Sequence, residues 1–170
     1  WLDKVGDFLA DLKDTNGTPI PVLFRPWHEL TGNWFWWCKN TNSADEFKQL
    51  WIFTIDYLRQ QKNIHHLLYV YNTANFSSEA EFLERYPGDA YVDVLSFDQY
   101  QHEAKEQKTA FIQSMRTKLS MLAAITTAKN KLAALAETGF ESVPDTSWWT
   151  GTLWPVLKDF SLSYVLVWRN

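Results

Sequence analysis

Five short apolar runs, set apart by stretches of helical periodicity, constrain this chain more than any other feature. They are residues 21–24, 67–71, 92–97, 131–136 and 164–168. Each is too short for a typical helix and is apolar without alternation, as in strands covered on both faces. The segments 1–13, 44–61, 79–85, 105–129 and 148–160 instead repeat apolar residues every three or four positions. In the first these are Leu2, Val5, Phe8, Leu9 and Leu12. Ser43 followed by Glu46 reads as a capping box opening 44–61. Pro155 confines 148–160 to a first turn or a kink. Short strands separated by helices pair in parallel through right-handed crossovers.

Polar and aromatic residues gather where each run ends: His28-Glu29, Asn72, Asp98 to Tyr100, Glu137-Thr138 and Trp168 to Asn170. Sites in parallel α/β folds form at the carboxyl ends of strands. Five ends feeding one rim fit a (β/α)₈ barrel better than a doubly wound sheet. A closed barrel takes eight strands and about 250 residues, against 170 residues here. The expected fold is therefore α/β, a partial (β/α)₈ TIM barrel with about strands 4 to 8, forming one partial domain over 1–170. The remainder of the barrel is expected from upstream sequence.

The net charge of −4, with Lys and Arg scattered, argues against a nucleic-acid partner. No run of about 18 apolar residues is present to form a membrane-spanning segment. The single cysteine, Cys38, excludes an internal disulfide and reads as a buried or half-buried thiol. No histidine–carboxylate spacing matches a ligand set, so neither a metal nor a cofactor is expected. His65-His66 precede a strand, away from the rim, and read as structural or exposed.

What stands out is the aromatic content: 10 Trp, 7 Tyr and 11 Phe. Trp27, Trp34, Trp36 and Trp37 crowd around His28-Glu29. Flat rings hold the apolar faces of sugars, and a carboxyl moves protons. Glycoside hydrolysis needs two carboxyls, and Glu137 stands at the end of another run. A single strand-end glutamate commonly caps a helix or pairs with an arginine. Two of them among so many tryptophans favour chemistry. The separation that distinguishes retention from inversion is not written in the sequence. His28 reads as a donor to a sugar hydroxyl or to the nucleophile, and Arg25 as the partner of a carboxylate. Tyr100 is placed to hold the second carboxyl through its hydroxyl. Among the tryptophans, Trp34, Trp36, Trp37, Trp148, Trp149 and Trp168 are stacking candidates. Trp34 and Trp168 are favoured for that role, and Trp36, Trp51 and Trp154 for packing.

At these residues the chain resembles glycoside hydrolase family 26, best known for β-mannanases. The resemblance rests on Arg25-Pro26-Trp27-His28-Glu29-Leu30-Thr31-Gly32-Asn33-Trp34-Phe35-Trp36-Trp37, Phe97-Asp98-Gln99-Tyr100, Glu137-Thr138-Gly139 and Val167-Trp168-Arg169-Asn170. It implies a (β/α)₈ barrel and a retaining double displacement, with Glu29 as acid/base and Glu137 as nucleophile. It also implies that His28, Trp34, Tyr100 and Trp168 line the subsites around the cleaved bond. Arg25, Asp98 and Asn170 join them as candidate substrate-binding residues. The implied substrate is a β-mannan polysaccharide or manno-oligosaccharide, and the implied location is secreted, cell-surface or periplasmic in a bacterium. Mixed-linkage β-glucan or β-1,3-xylan cleavage, or an inactive barrel fragment that binds carbohydrate, stands as the alternative.

Overall fold

The computed structural model describes residues 1–102 and 104–168. Strands β1 (Val22–Phe24), β2 (Leu67–Thr73), β3 (Val94–Gln101), β4 (Leu132–Phe140) and β5 (Val165–Val167) form one sheet in chain order. Every neighbouring pair is parallel. Helices α1 (Leu2–Asp11), α2 (Ala44–Asp56), α3 (Glu79–Leu83), α4 (Lys108–Lys129) and α5 (Trp154–Leu157) complete the βα alternation. Ser43 and Glu46 form the reciprocal capping box at the start of α2. α2 ends in a π turn at Tyr57–Gln61. A second π turn, Trp149–Leu153, precedes α5, where Pro155 falls in the first turn.

Side chains alternate across the sheet, and the two faces differ. Tyr69, Tyr71, Leu95, Phe97, Ala133 and Leu135 join the main core, where they meet Trp51 and Ile55 of α2 and Met115, Leu119 and Leu122 of α4. The opposite face, the inside of the curl, has a small cluster of Val70, Val94 and Ala134. On that inner face Leu23, Leu68, Leu132 and Leu166 are between 41 and 53% exposed. β1 was expected to be covered on both faces. Instead it is an edge strand of this sheet, paired with β2 alone, and Leu23 looks onto the open side of the curl.

One irregularity decides where a glutamate points. Phe97 pairs with Leu135, but Asp98 pairs with Glu137, so Ala136 is an extra residue on β4. Strict alternation would send Glu137 outward to the helices with Leu135. The bulge resets the alternation and turns Glu137 inward, beside Asp98.

Candidate active site

Residues 25, 72, 96, 98, 100 and 137 sit at the carboxyl ends of β1 to β4, on the inner face, and build one network. Arg25 is its centre. Its Nη1 donates to Asn72 Oδ1 and to Asp98 Oδ2, both at 3.0 Å, and its Nη2 donates to Glu137 Oε1. Tyr100 donates its hydroxyl to Glu137 Oε2 at 2.5 Å. Asn72 in turn donates to Asp98 Oδ1 at 2.8 Å and to Ser96 Oγ at 3.1 Å. The same amide accepts the backbone N–H of Glu29 at 2.8 Å. Both oxygens of Glu137 are thus held by donors, which leaves the carboxyl little rotational freedom.

Glu29 is presented by strained backbone. Trp27 and Glu29 have φ of 50° and 53°, in the left-handed region. Such residues cost about 1–3 kcal/mol each and persist where surroundings fix them. Here the Glu29 carbonyl accepts from Gly32 N at 2.8 Å and from Cys38 Sγ at 3.4 Å. Trp37 Nε1 donates to the His28 carbonyl at 2.8 Å, and Trp27 Nε1 donates to Thr54 Oγ1 at 3.1 Å. The loop that follows is held from below by buried Arg85. Its guanidinium donates to Asn42 Oδ1 and to the carbonyls of Lys39, Asn42 and Ser43. Phe35 and Trp37 stack at 4.3 Å, and His28 tilts against Phe35 at 4.9 Å.

One carboxylate oxygen from each of Glu29, Asp98 and Glu137 lies within 4.8 Å of the others. Arg25 already serves this cluster as its cation, through Asp98 and Glu137. One guanidinium cannot neutralise three acids. Burial pushes Asp98 up to about 7, with Glu137 and Glu29 adding to the rise against Arg25 and Asn72. Burial also raises Glu29. The Trp34 N–H and Arg25 oppose that rise, and Glu137 adds to it. Burial, then the nearby Arg25 charge, lowers His28 and favours a neutral ring. Arg25 itself is raised, because Asp98 and Glu137 outweigh its burial. A cleft of about 800 Å³ opens over these groups, lined by His28, Glu29, Trp34, Tyr100, Glu137 and Trp168 among others.

Comparison with known proteins gives this geometry a lineage. Residues 1–148 match the description of glycosyl hydrolase family 26. The chain belongs to that family. This family 26 chain is 47% identical to a β-mannanase from Bacteroides ovatus, with a TM-score of 0.94 over 100% of this chain and 48% of that one. A modular endo-β-1,4-mannanase from Cellulomonas fimi superimposes with a TM-score of 0.90 at 32% identity, over 99% of this chain and 39% of that one. A mannan endo-1,4-β-mannosidase of Bifidobacterium adolescentis is 37% identical over 81% of this chain and 14% of that protein. The chain thus spans about half the length of the first of these structures and a smaller part of the curated relative. Its five-stranded curl is a partial (β/α)₈ barrel of the family 26 type.

Of the residues singled out in the sequence, Arg25, His28, Glu29, Trp34, Asp98, Tyr100, Glu137 and Trp168 converge on one end of the sheet. Arg25 and Asp98 were grouped with sugar-binding residues. Asp98 bonds Arg25 and Asn72 at the lining of the cleft, with its side chain 1% exposed. Asn170 lies outside the described residues. Trp148, a stacking candidate, is a core residue whose Nε1 donates to Gln101 Oε1 at 2.8 Å. Trp36 and Trp154, assigned to packing, are mostly exposed. Trp36 packs only one side, edge-on against Trp27 and Trp37. Trp51 is buried as expected, and so is Cys38. His66 bonds the Leu9 carbonyl, far from the rim. Asn72, the hub of the network, reads in the sequence only as the polar end of its strand. A lone amide closing an apolar run was the available signal.

Proposed function

We propose that this chain is the half of a retaining β-1,4-mannanase barrel, about strands 4 to 8, that carries both reacting carboxyls. The observation that carries the reading is the pairing of Glu29 and Glu137 in one cleft, with oxygens within 4.8 Å and with unlike surroundings. Retaining glycosidases hold their carboxyls about 5–5.5 Å apart and inverting ones about 6.5–9.5 Å. Glu137, gripped by Arg25 and Tyr100, is the nucleophile. It attacks the anomeric carbon and forms a glycosyl-enzyme ester. Glu29, raised by burial and by its neighbour's charge, is the acid that protonates the departing oxygen. Once Glu137 is esterified its charge is gone, one influence raising Glu29 disappears, and Glu29 is better suited to take a proton from the incoming water.

Mannan is the proposed substrate because the similar proteins are mannanases by name. Trp34 and Trp168 are proposed to stack on sugar rings, and His28 to donate to a sugar hydroxyl. The exposed inner leucines support a complementary half-barrel closing over this one. A polymeric substrate fits a secreted, cell-surface or periplasmic enzyme. The test is product analysis of the full-length enzyme on mannan, mixed-linkage β-glucan and β-1,3-xylan, with Glu137→Ala as control. Manno-oligosaccharides from the wild type alone support the reading. Products from another glycan alone move the substrate, and equal rates in wild type and Glu137→Ala overturn the mechanism.

A further inference from the structure

The orientation of the Glu29 carboxyl depends on an atom that is missing three residues along. A Cβ built on Gly32 would stand 2.7 Å from Trp34 Cζ2 and 2.8 Å from Cε2 and Cη2, closer than real Cβ atoms approach. The indole therefore lies directly on the Gly32 backbone. From that seat its Nε1 reaches Glu29 Oε2 at 2.8 Å. Gly32 N donates to the Glu29 carbonyl, also at 2.8 Å, so glycine, indole and carboxyl form a closed circuit. Little else holds the ring. Trp34 is 57% exposed, and its aromatic neighbour is Phe35, edge-on at 6.4 Å.

We propose that Gly32 is a positioning residue for the acid/base carboxyl: its bare backbone seats Trp34, and the indole N–H then fixes which oxygen of Glu29 carries the proton. This rests on the reading of Glu29 as the acid/base. An indole nitrogen only donates, and the carbonyl oxygen of a protonated carboxyl accepts better than its hydroxyl oxygen, so Oε2 takes the carbonyl role. The acidic proton is then carried by Oε1. In the first chemical step that proton passes from Oε1 to the glycosidic oxygen. The bond from that oxygen to the anomeric carbon breaks, its electron pair stays on the departing oxygen, and a Glu137 oxygen bonds to the carbon. The charged groups that bear on Glu29 are Glu137 and Asp98 on the acidic side and Arg25 on the basic side. The Trp34 N–H is the hydrogen bond that favours its ionised form.

The test uses Gly32→Ala and Trp34→Phe in the full-length enzyme, with two substrates of unequal demand. A manno-oligosaccharide needs its leaving oxygen protonated, whereas a 2,4-dinitrophenyl β-mannobioside does not. In Gly32→Ala, kcat/KM for the oligosaccharide is expected to fall about tenfold to a hundredfold while the dinitrophenyl substrate stays within about twofold. Trp34→Phe, which loses ring area as well, is expected to move the ratio of the two in the same direction. In both variants the basic limb of the kcat/KM profile shifts to higher pH, because a donor to the ionised carboxyl is gone. Equal losses on both substrates, or no loss on the oligosaccharide in a folded Gly32→Ala protein, overturn the proposal. Glu29→Ala, run alongside, separates the two questions. If it fails to discriminate between the substrates, the acid/base assignment itself is wrong, whatever Gly32 does.

Discussion

Replacing Asp98 with asparagine should make the stability of this protein less dependent on pH. In the folded chain Asp98 shares one guanidinium with Glu137, and burial lifts it from the ordinary 3.8 to about 7. The folded state then holds this proton more tightly than the unfolded chain. Stability therefore falls as pH rises between those two values. The span is about three pH units at about 1.4 kcal/mol each, so the loss is at most about 4 kcal/mol. Asparagine removes the titration but brings its own cost. Asp98 faces donors on both sides, Arg25 Nη1 and Asn72 Nδ2. An amide can accept from only one and turns its NH₂ toward the other, a mismatch of about 1–3 kcal/mol in a buried site. Asp98→Asn is thus expected to be the weaker protein near about pH 5, with the gap narrowing or reversing toward about pH 8. Urea unfolding of both proteins across that range reads the difference directly. A gap that stays constant with pH would refute the argument that burial raises Asp98 in the folded chain.

Two further substitutions probe other parts of the network. Arg85→Met leaves the carbonyls of Lys39, Asn42 and Ser43 without their buried donor; a loss of about 2–4 kcal/mol in urea, with a shift in tryptophan fluorescence, is expected, and an unchanged midpoint would show that the loop holds itself. Tyr100→Phe removes the hydroxyl on Glu137 Oε2; kcat should fall about tenfold to a hundredfold, the worth of a bond to a charged group, and steady-state kinetics decides it, an unchanged kcat refuting that role.

Much of the architecture was legible because it is local. Short apolar runs located the five strands and three- to four-residue periodicity the helices between them, and Ser43 with Glu46 announced the start of α2. Tyr100 and Glu137 could be paired in advance because both close apolar runs at a common rim. What was hidden depends on partners across the sheet. The extra residue at Ala136 exists only as a mismatch between β3 and β4, yet it decides that Glu137 faces Asp98. Leu23 looked doubly buried because apolarity reports a preference, not whether a neighbouring strand is there to meet it. Trp148 and Trp154 are chemically alike and six positions apart. One is enclosed with its N–H bonded to Gln101 and the other faces solvent, a difference set by packing and not by residue type.

The hydrogen bonds of Arg25, Asn72, Asp98, Tyr100 and Glu137 close on one another within four consecutive strands. A circuit whose donors and acceptors meet one another is modular. Under the proposed function, the second half of the barrel would bring contacts for the sugar chain without having to complete the acid pair. Reaction type and glycan preference would then be separable properties, written in different stretches of the gene. A chimera joining this half to the opposite half of a relative with another diet could exchange what is cut while leaving untouched how it is cut.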